Sequence, residues 1–333
     1  MHRRLVLLSA AALVLAAGLV PAGAAQAAGG SGLDPGPVRW NAADTWSERR
    51  DVLQYWTPQR MLAARPLASP PPRSDSRSGR PTQGDPWSVR GTSGSGARLQ
   101  AVVNNSPGLR WTDGGSVVRA TGRVFFTTAD GANSSCSGTA VTSANESVVI
   151  TAGHCVKLNG QAHRNWVFVP AFSNGRRPFG TWAAARMVTT RQWNAREDIN
   201  FDMAAVVVAP LQGRTLTDVV GGQGVAFNQP RRRQMFAFGF PAARPFDGSD
   251  LIYCSGRAID DPVQTTDLGL RCAMTGGSSG GPWFAGFDGS TGIGWLNSVN
   301  SFKYDFAPNF MFGPFFGDEV MSVYQTAQRA NAL

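Results

Sequence analysis

From residue 116 onward the chain sets short apolar runs between clusters of Gly, Asn and Asp. Val124 to Thr127, Gly138 to Val141, Ser147 to Thr151, Trp166 to Val169, Met203 to Val208, Met235 to Phe238 and Pro282 to Phe284 all read as strands. Their brevity and punctuation predict an all-β barrel or sandwich. One helix is predicted in this part. Gly317-Asp318-Glu319 opens it, and Val320, Val323, Tyr324 and Ala327 fall on one face.

The preceding residues have a different texture. A helical stretch is predicted from near Asp44, with Trp46, Leu53 and Trp56 as its apolar positions. Thr57-Pro58 reads as a cap and first-turn proline that start a second, short helix. Pro, Ser, Arg and Gly dominate from Pro66 to Ala97, a composition that buries too little apolar surface to pack. Residues 1–27 combine a basic start, an apolar stretch from Leu5 to Val20 and the small-x-small site Ala25-Gln26-Ala27, the pattern of a signal peptide. The expected organisation is therefore a signal peptide (1–27), a removable pro-segment with a flexible linker (28–115) and a folded domain (116–333). The mature N-terminus is expected between about 98 and 120, and the product outside the cell and off the membrane.

Of the 333 residues, 42% are hydrophobic and 16% charged, enough for an extensive core. The net charge of +9 is carried almost wholly by Arg, with Lys only at 157 and 303, and most of the excess precedes residue 116. A surplus held mainly in a removable part is no sign of a nucleic-acid partner. Arg231-Arg232-Arg233 reads as a solvated loop. Cys136, Cys155, Cys254 and Cys272 form an even set, which in an exported protein favours two disulfides. Three connectivities are open. Pairing of sequence neighbours is preferred because each bridge would staple one half of the chemically interesting region. No Cys or His spacing suits zinc, and no cofactor is implied.

Two segments carry the chemistry: Thr151-Ala152-Gly153-His154-Cys155 and Gly276-Gly277-Ser278-Ser279-Gly280-Gly281-Pro282. A serine hydroxyl needs a base to take its proton and donors aimed at the developing oxyanion. Of three histidines, His2 falls in the signal and His163 lies among polar loop residues, where no chemical role is expected and a structural or solvated one is. His154 is left as the base. Gly277 to Gly281 also fits the G-x-S-x-G elbow of α/β-hydrolases, but that fold places its histidine after the serine, and none follows residue 163.

The two segments resemble the signature motifs of the chymotrypsin-like (trypsin-fold) serine peptidases, over residues 116–333, and the texture is similar to secreted bacterial members, including the glutamyl-endopeptidase-like branch. The resemblance implies two packed six-stranded antiparallel Greek-key barrels with a C-terminal helix. It implies a monomeric endopeptidase acting on protein or peptide substrates, with its own pro-segment as inhibitor or folding aid. An inactive or esterase-like member of the same fold is the alternative. His154 matches the general base and Ser279 the nucleophile, since Ser279 directly precedes Gly280-Gly281-Pro282. Asp202, ahead of an apolar strand, matches the acid, with Asp198 its rival. The N–H groups of Gly277 and Ser279 match the oxyanion hole. Two departures from the family pattern matter. Ser278 stands where trypsin-like members carry the aspartate that pairs with an inserted N-terminus. Ala273 stands where trypsin carries its pocket acid, which disfavours cleavage after basic residues. The segment Leu296 to Ser301 lacks the pocket histidine of the acid-cleaving branch. An apolar or small polar preference is thus expected, with Thr275 and Asn297 lining the pocket.

Overall fold

The computed structural model describes residues 36–67, 71–72, 79–92 and 104–332, so the expected signal peptide lies outside the described residues. Six antiparallel strands close into a barrel. In chain order they are Thr121–Thr127, Asn133–Val141, Val148–Thr151, Arg164–Pro170, Trp182–Thr189 and Ala204–Val208. Around the ring the first three are sequential neighbours, followed by the sixth, fifth and fourth, and the fourth returns to the first. Val149, Ile150, Phe168, Val206 and their neighbours are buried in one core cluster, the strands being apolar on both faces.

The second half is built on a seven-stranded sheet in the order Trp87–Val89, Gly224–Phe227, Ile293–Val299, Pro282–Asp288, Gln234–Gly239, Ile252–Arg257, Ser106–Arg110. Beside it stands a three-stranded sheet of Ile259–Asp260, Leu268–Arg271 and Phe310–Gly313. The C-terminal helix, Asp318–Gln328, buries Val320, Val323, Tyr324 and Ala327, the face its spacing predicts. Three short helices, Ser116–Ala120, Arg191–Arg196 and Leu216–Val220, join it. They are too short for an apolar period to show in sequence.

The described part of the N-terminal segment is folded onto both halves. Val38–Asn41 pairs antiparallel with the barrel strand Trp182–Thr189. Helix Trp46–Tyr55 begins with a capping box between Thr45 and Glu48, and Pro58–Ala63 begins with Thr57 accepting from Arg60 N–H. Trp56 and Met61 pack on Phe125, Val167, Val169 and Phe172, whereas Trp46 remains exposed. Part of the stretch expected not to pack is ordered against the domain. Trp87–Val89 pairs with Gly224–Phe227, and Thr82 is held by Glu319 at the start of the C-terminal helix. Composition missed this because the docking depends on an open sheet edge elsewhere in the chain.

Candidate active site

The register of two barrel strands creates the centre of the site. Thr151 pairs with Ala204 at the ends of adjacent antiparallel strands. His154 follows Thr151 in a tight 3₁₀ turn, Gly153–Cys155, and Asp202 precedes Ala204 at the end of another, Ile199–Phe201. The two side chains are therefore delivered to the same barrel rim. Asp202 Oδ1 accepts the backbone N–H of His154 at 2.7 Å, and its Oδ2 meets His154 Nδ1 at 2.7 Å. Ser301 Oγ donates to the same Oδ2 at 2.5 Å. Both His154 and Asp202 are fully buried. A carboxylate only accepts, so Nδ1 carries the proton, and Nε2 is left with its lone pair and without a hydrogen-bond partner among the described residues.

Asp198 takes a different part. It caps the turn that ends in Asp202, accepting from Asn200 N–H and Nδ2–H, and pairs with Arg196 at 2.8 Å. His163, for which no chemical role is expected, has a structural place beside the site. It is buried, stacked on Phe126 at 4.3 Å between ring centres, and its Nε2 lies 2.9 Å from the carbonyl of His154. Burial pushes its pKa down to about 4, so the neutral ring donates to that carbonyl and steadies the His154 turn. The loop is polar in sequence but folds back over the barrel.

The serine segment is fastened to both halves of the molecule. Ser137 N–H donates to Ser279 O at 2.7 Å, and Ser137 Oγ donates to Gly277 O at 2.9 Å. Gly280 N–H donates to Asn300 O at 2.7 Å, while Asn300 Nδ2 reaches Phe238 O and Ser278 O. Gly280 abuts the approach to His154 so closely that a Cβ there would lie 2.1 Å from Thr151 Oγ1 and 2.7 Å from Ala152 N, at φ +77°. Gly277 turns the chain with φ +94°. Ser278 directs its Oγ to Thr275 O at 2.7 Å, so its hydroxyl is satisfied locally.

The four cysteines pair as Cys136–Cys155 and Cys254–Cys272. The first bridge ties the strand beneath Ser137 to the residue after His154. Cys136, His154 and Cys155 offer atoms within 4.8 Å of one another, but sulfurs bonded to each other supply no thiolate for a metal.

A cavity of about 330 Å³ opens beside Ser279, walled by Met274, Thr275, Phe302, Lys303 and Met311. Pro66 and Leu67 of the N-terminal segment also line it. Arg65 and Pro66 run parallel to Ser134 and Ser135, and Leu67 N–H donates to Ser135 O at 3.1 Å. Of the residues expected at the pocket, Thr275 lies on its wall. Ala273 instead bonds Pro107 O through its N–H, and buried Asn297 bonds Ala226 O. Sequence reasoning missed Ser301, which no motif marks, and Lys303, two residues beyond the segment searched for a pocket base.

No protein-family model matches the chain, and no curated protein does. Solved structures do. The protease Anisep from Arthrobacter nicotinovorans is 44% identical, with a TM-score of 0.61 over 65% of this chain and 98% of that one. The thermostable serine protease AL20 from an extremophilic microorganism is also 44% identical, with a TM-score of 0.61 over 65% of this chain and 100% of that one. A Glu endopeptidase shares the fold at 14% identity, with a TM-score of 0.52 over 69% of this chain and 100% of that one.

Proposed function

The chain belongs to the chymotrypsin-like (trypsin-fold) serine peptidases, and from that premise we propose that it is an exported serine endopeptidase made as a precursor. The observation that carries this reading is the buried His154–Asp202 pair, whose Nε2 has no hydrogen-bond partner among the described residues and lies at the barrel rim against which the Ser279 segment packs. In this mechanism His154 Nε2 takes the proton of Ser279 as Oγ attacks the substrate carbonyl. The peptide N–H groups of Gly277 and Ser279 receive the oxyanion, and Asp202 stabilises the imidazolium. His154 then returns the proton to the leaving amine. Water attacks the acyl-enzyme by the same route, releasing the acid and restoring Ser279.

The residues from 28 up to the cut act as the pro-segment in this reading. Pro66 and Leu67 at the cavity beside Ser279 support a role in covering the cleft, and the locally satisfied Ser278 fits activation without an inserted ammonium. The cut falls upstream of Ser106, ahead of the 116 boundary that composition suggests. Ser106–Arg110 is a strand of the second sheet, and Trp111 is buried in the core. The purified, processed protein tests this reading. A fluorophosphonate should label Ser279, Ser279→Ala should abolish labelling and hydrolysis, and N-terminal sequencing should start before Ser106. Absence of labelling and of peptide cleavage in the processed protein would overturn the enzymatic reading.

A further inference from the structure

We propose that Lys303 makes the cavity beside Ser279 a pocket for a carboxylate, so that the enzyme cleaves after acidic residues. This rests on the serine-peptidase reading and names its substrate class. Among the described residues lining the cavity, Lys303 is the one that carries a charge. The buried side chains on its walls, Met274, Phe302 and Met311, are apolar. The neighbouring hydroxyls are already committed: Thr275 Oγ1 donates to Ala243 O at 2.6 Å, and Ser278 Oγ donates to Thr275 O at 2.7 Å. Their protons are thus used, and donation to an acceptor-only group such as a carboxylate falls to Lys303.

The ammonium is held in place for that task. Two of its three N–H groups donate to backbone carbonyls, those of Cys272 at 2.7 Å and Pro308 at 2.5 Å. The Cys254–Cys272 bridge and the Phe302–Phe312 pairing anchor the two loops that supply them. Among the described residues nothing takes the third N–H, which is left for a ligand. Among the described residues no carboxylate pairs with Lys303, and burial alone brings its amine down to about 8. A half-buried cation without a counter-charge is costly, and a substrate carboxylate would supply the missing partner. A basic side chain would meet like charge instead. The residue type points the same way. Only two of the chain's 31 basic side chains are lysines, and a compact ammonium fits between two carbonyls and one ligand where a guanidinium fork would not.

The test uses the processed protein and peptides that differ only before the scissile bond, carrying Glu, Asp, Gln, Leu or Arg. The expected result is a kcat/KM for Glu or Asp exceeding that for Gln by roughly tenfold or more, a difference of about 1.4 kcal/mol. Lys303→Gln should lower hydrolysis of the Glu peptide far more than that of the Leu peptide, and Lys303→Arg, whose fork does not fit between the two carbonyls, should not restore the acidic preference. The rate of fluorophosphonate labelling of Ser279 reports whether each variant is folded. Should Lys303→Gln fail to fold, the wild-type ratio of Glu to Gln decides the matter by itself. A preference for Leu or Arg in a labelled, active enzyme overturns the pocket while sparing the peptidase. A Lys303→Gln variant that keeps the Glu preference does the same. Neither labelling nor cleavage by the wild type removes both.

Discussion

Asp202 grips His154 at two points, one carboxylate oxygen on its backbone N–H and the other on its ring, each at 2.7 Å. The acid thereby fixes both the turn and the tautomer. Asp202→Asn should leave the fold intact and lower kcat by ~10⁴, the scale seen when such a carboxylate is neutralised. Ser301→Ala removes a donor from Oδ2 and should cost about tenfold in kcat with little change in KM, since Ser301 only positions Asp202. Peptide hydrolysis followed from pH 5 to 9 measures both. A loss under tenfold for Asp202→Asn would remove it from the mechanism.

Gly280 and Gly276 lie in one loop but face different surroundings. At Gly280 a Cβ would lie 2.1 Å from Thr151 Oγ1, with φ at +77°. At Gly276 the nearest atoms are 3.5 Å away. Gly280→Ala should destabilise the precursor by about 2–5 kcal/mol through backbone strain and overpacking. Gly276→Ala should be near neutral. Denaturant melts in a Ser279→Ala background, which prevents self-digestion, compare them directly.

Asp267 is fully buried, and neither carboxylate oxygen has a hydrogen-bond partner among the described residues. Burial first, then the charges of Asp202 and Asp261, push its pKa well above the usual carboxylate value. A raised folded pKa means that the native state holds the proton after the unfolded chain has released it. Stability from this group is thus full below the unfolded pKa near 4 and declines as pH rises above it. Asp267→Asn should raise the thermal midpoint more at pH 8 than at pH 4. An equal effect at both values would contradict this.

The Lys303 pocket carries its own pH signature. Its amine is held at about 8 by burial, so the charge is present below that pH and fades above it. Cleavage after Glu should decline relative to cleavage after Gln as pH climbs from 7 to 9. A constant ratio across that range would place the ammonium outside recognition.

Much of this arrangement was legible in the sequence, for definable reasons. The strands around Val124, Ile150 and Val206 are apolar runs that need no partner to be recognised, and the spacing of Val320, Val323, Tyr324 and Ala327 carries a helical period. Trp182–Thr189 escaped notice because alanines give little strand preference. Ser106–Arg110 contains Pro and Gly and reads as linker, yet Ile252–Arg257 holds it as a strand. At the proposed site, the motifs around His154 and Ser279 stand out in the sequence because such chemistry constrains its neighbours, and the structure brings His154 against Asp202. Ser301 and Lys303 do not stand out, since each acts through one atom placed by a distant part of the chain.

The strand pairing of Arg65 and Pro66 with Ser134 and Ser135 has a kinetic consequence. While the backbone is continuous from these residues to the barrel, the segment meets the cleft at an effective concentration on the order of millimolar, whatever the dilution outside. A cut before Ser106 turns the same contacts into an encounter between two molecules. In the proposed precursor their occupancy would then fall as the two pieces spread apart, so that one hydrolysed bond and simple dilution would open the cleft.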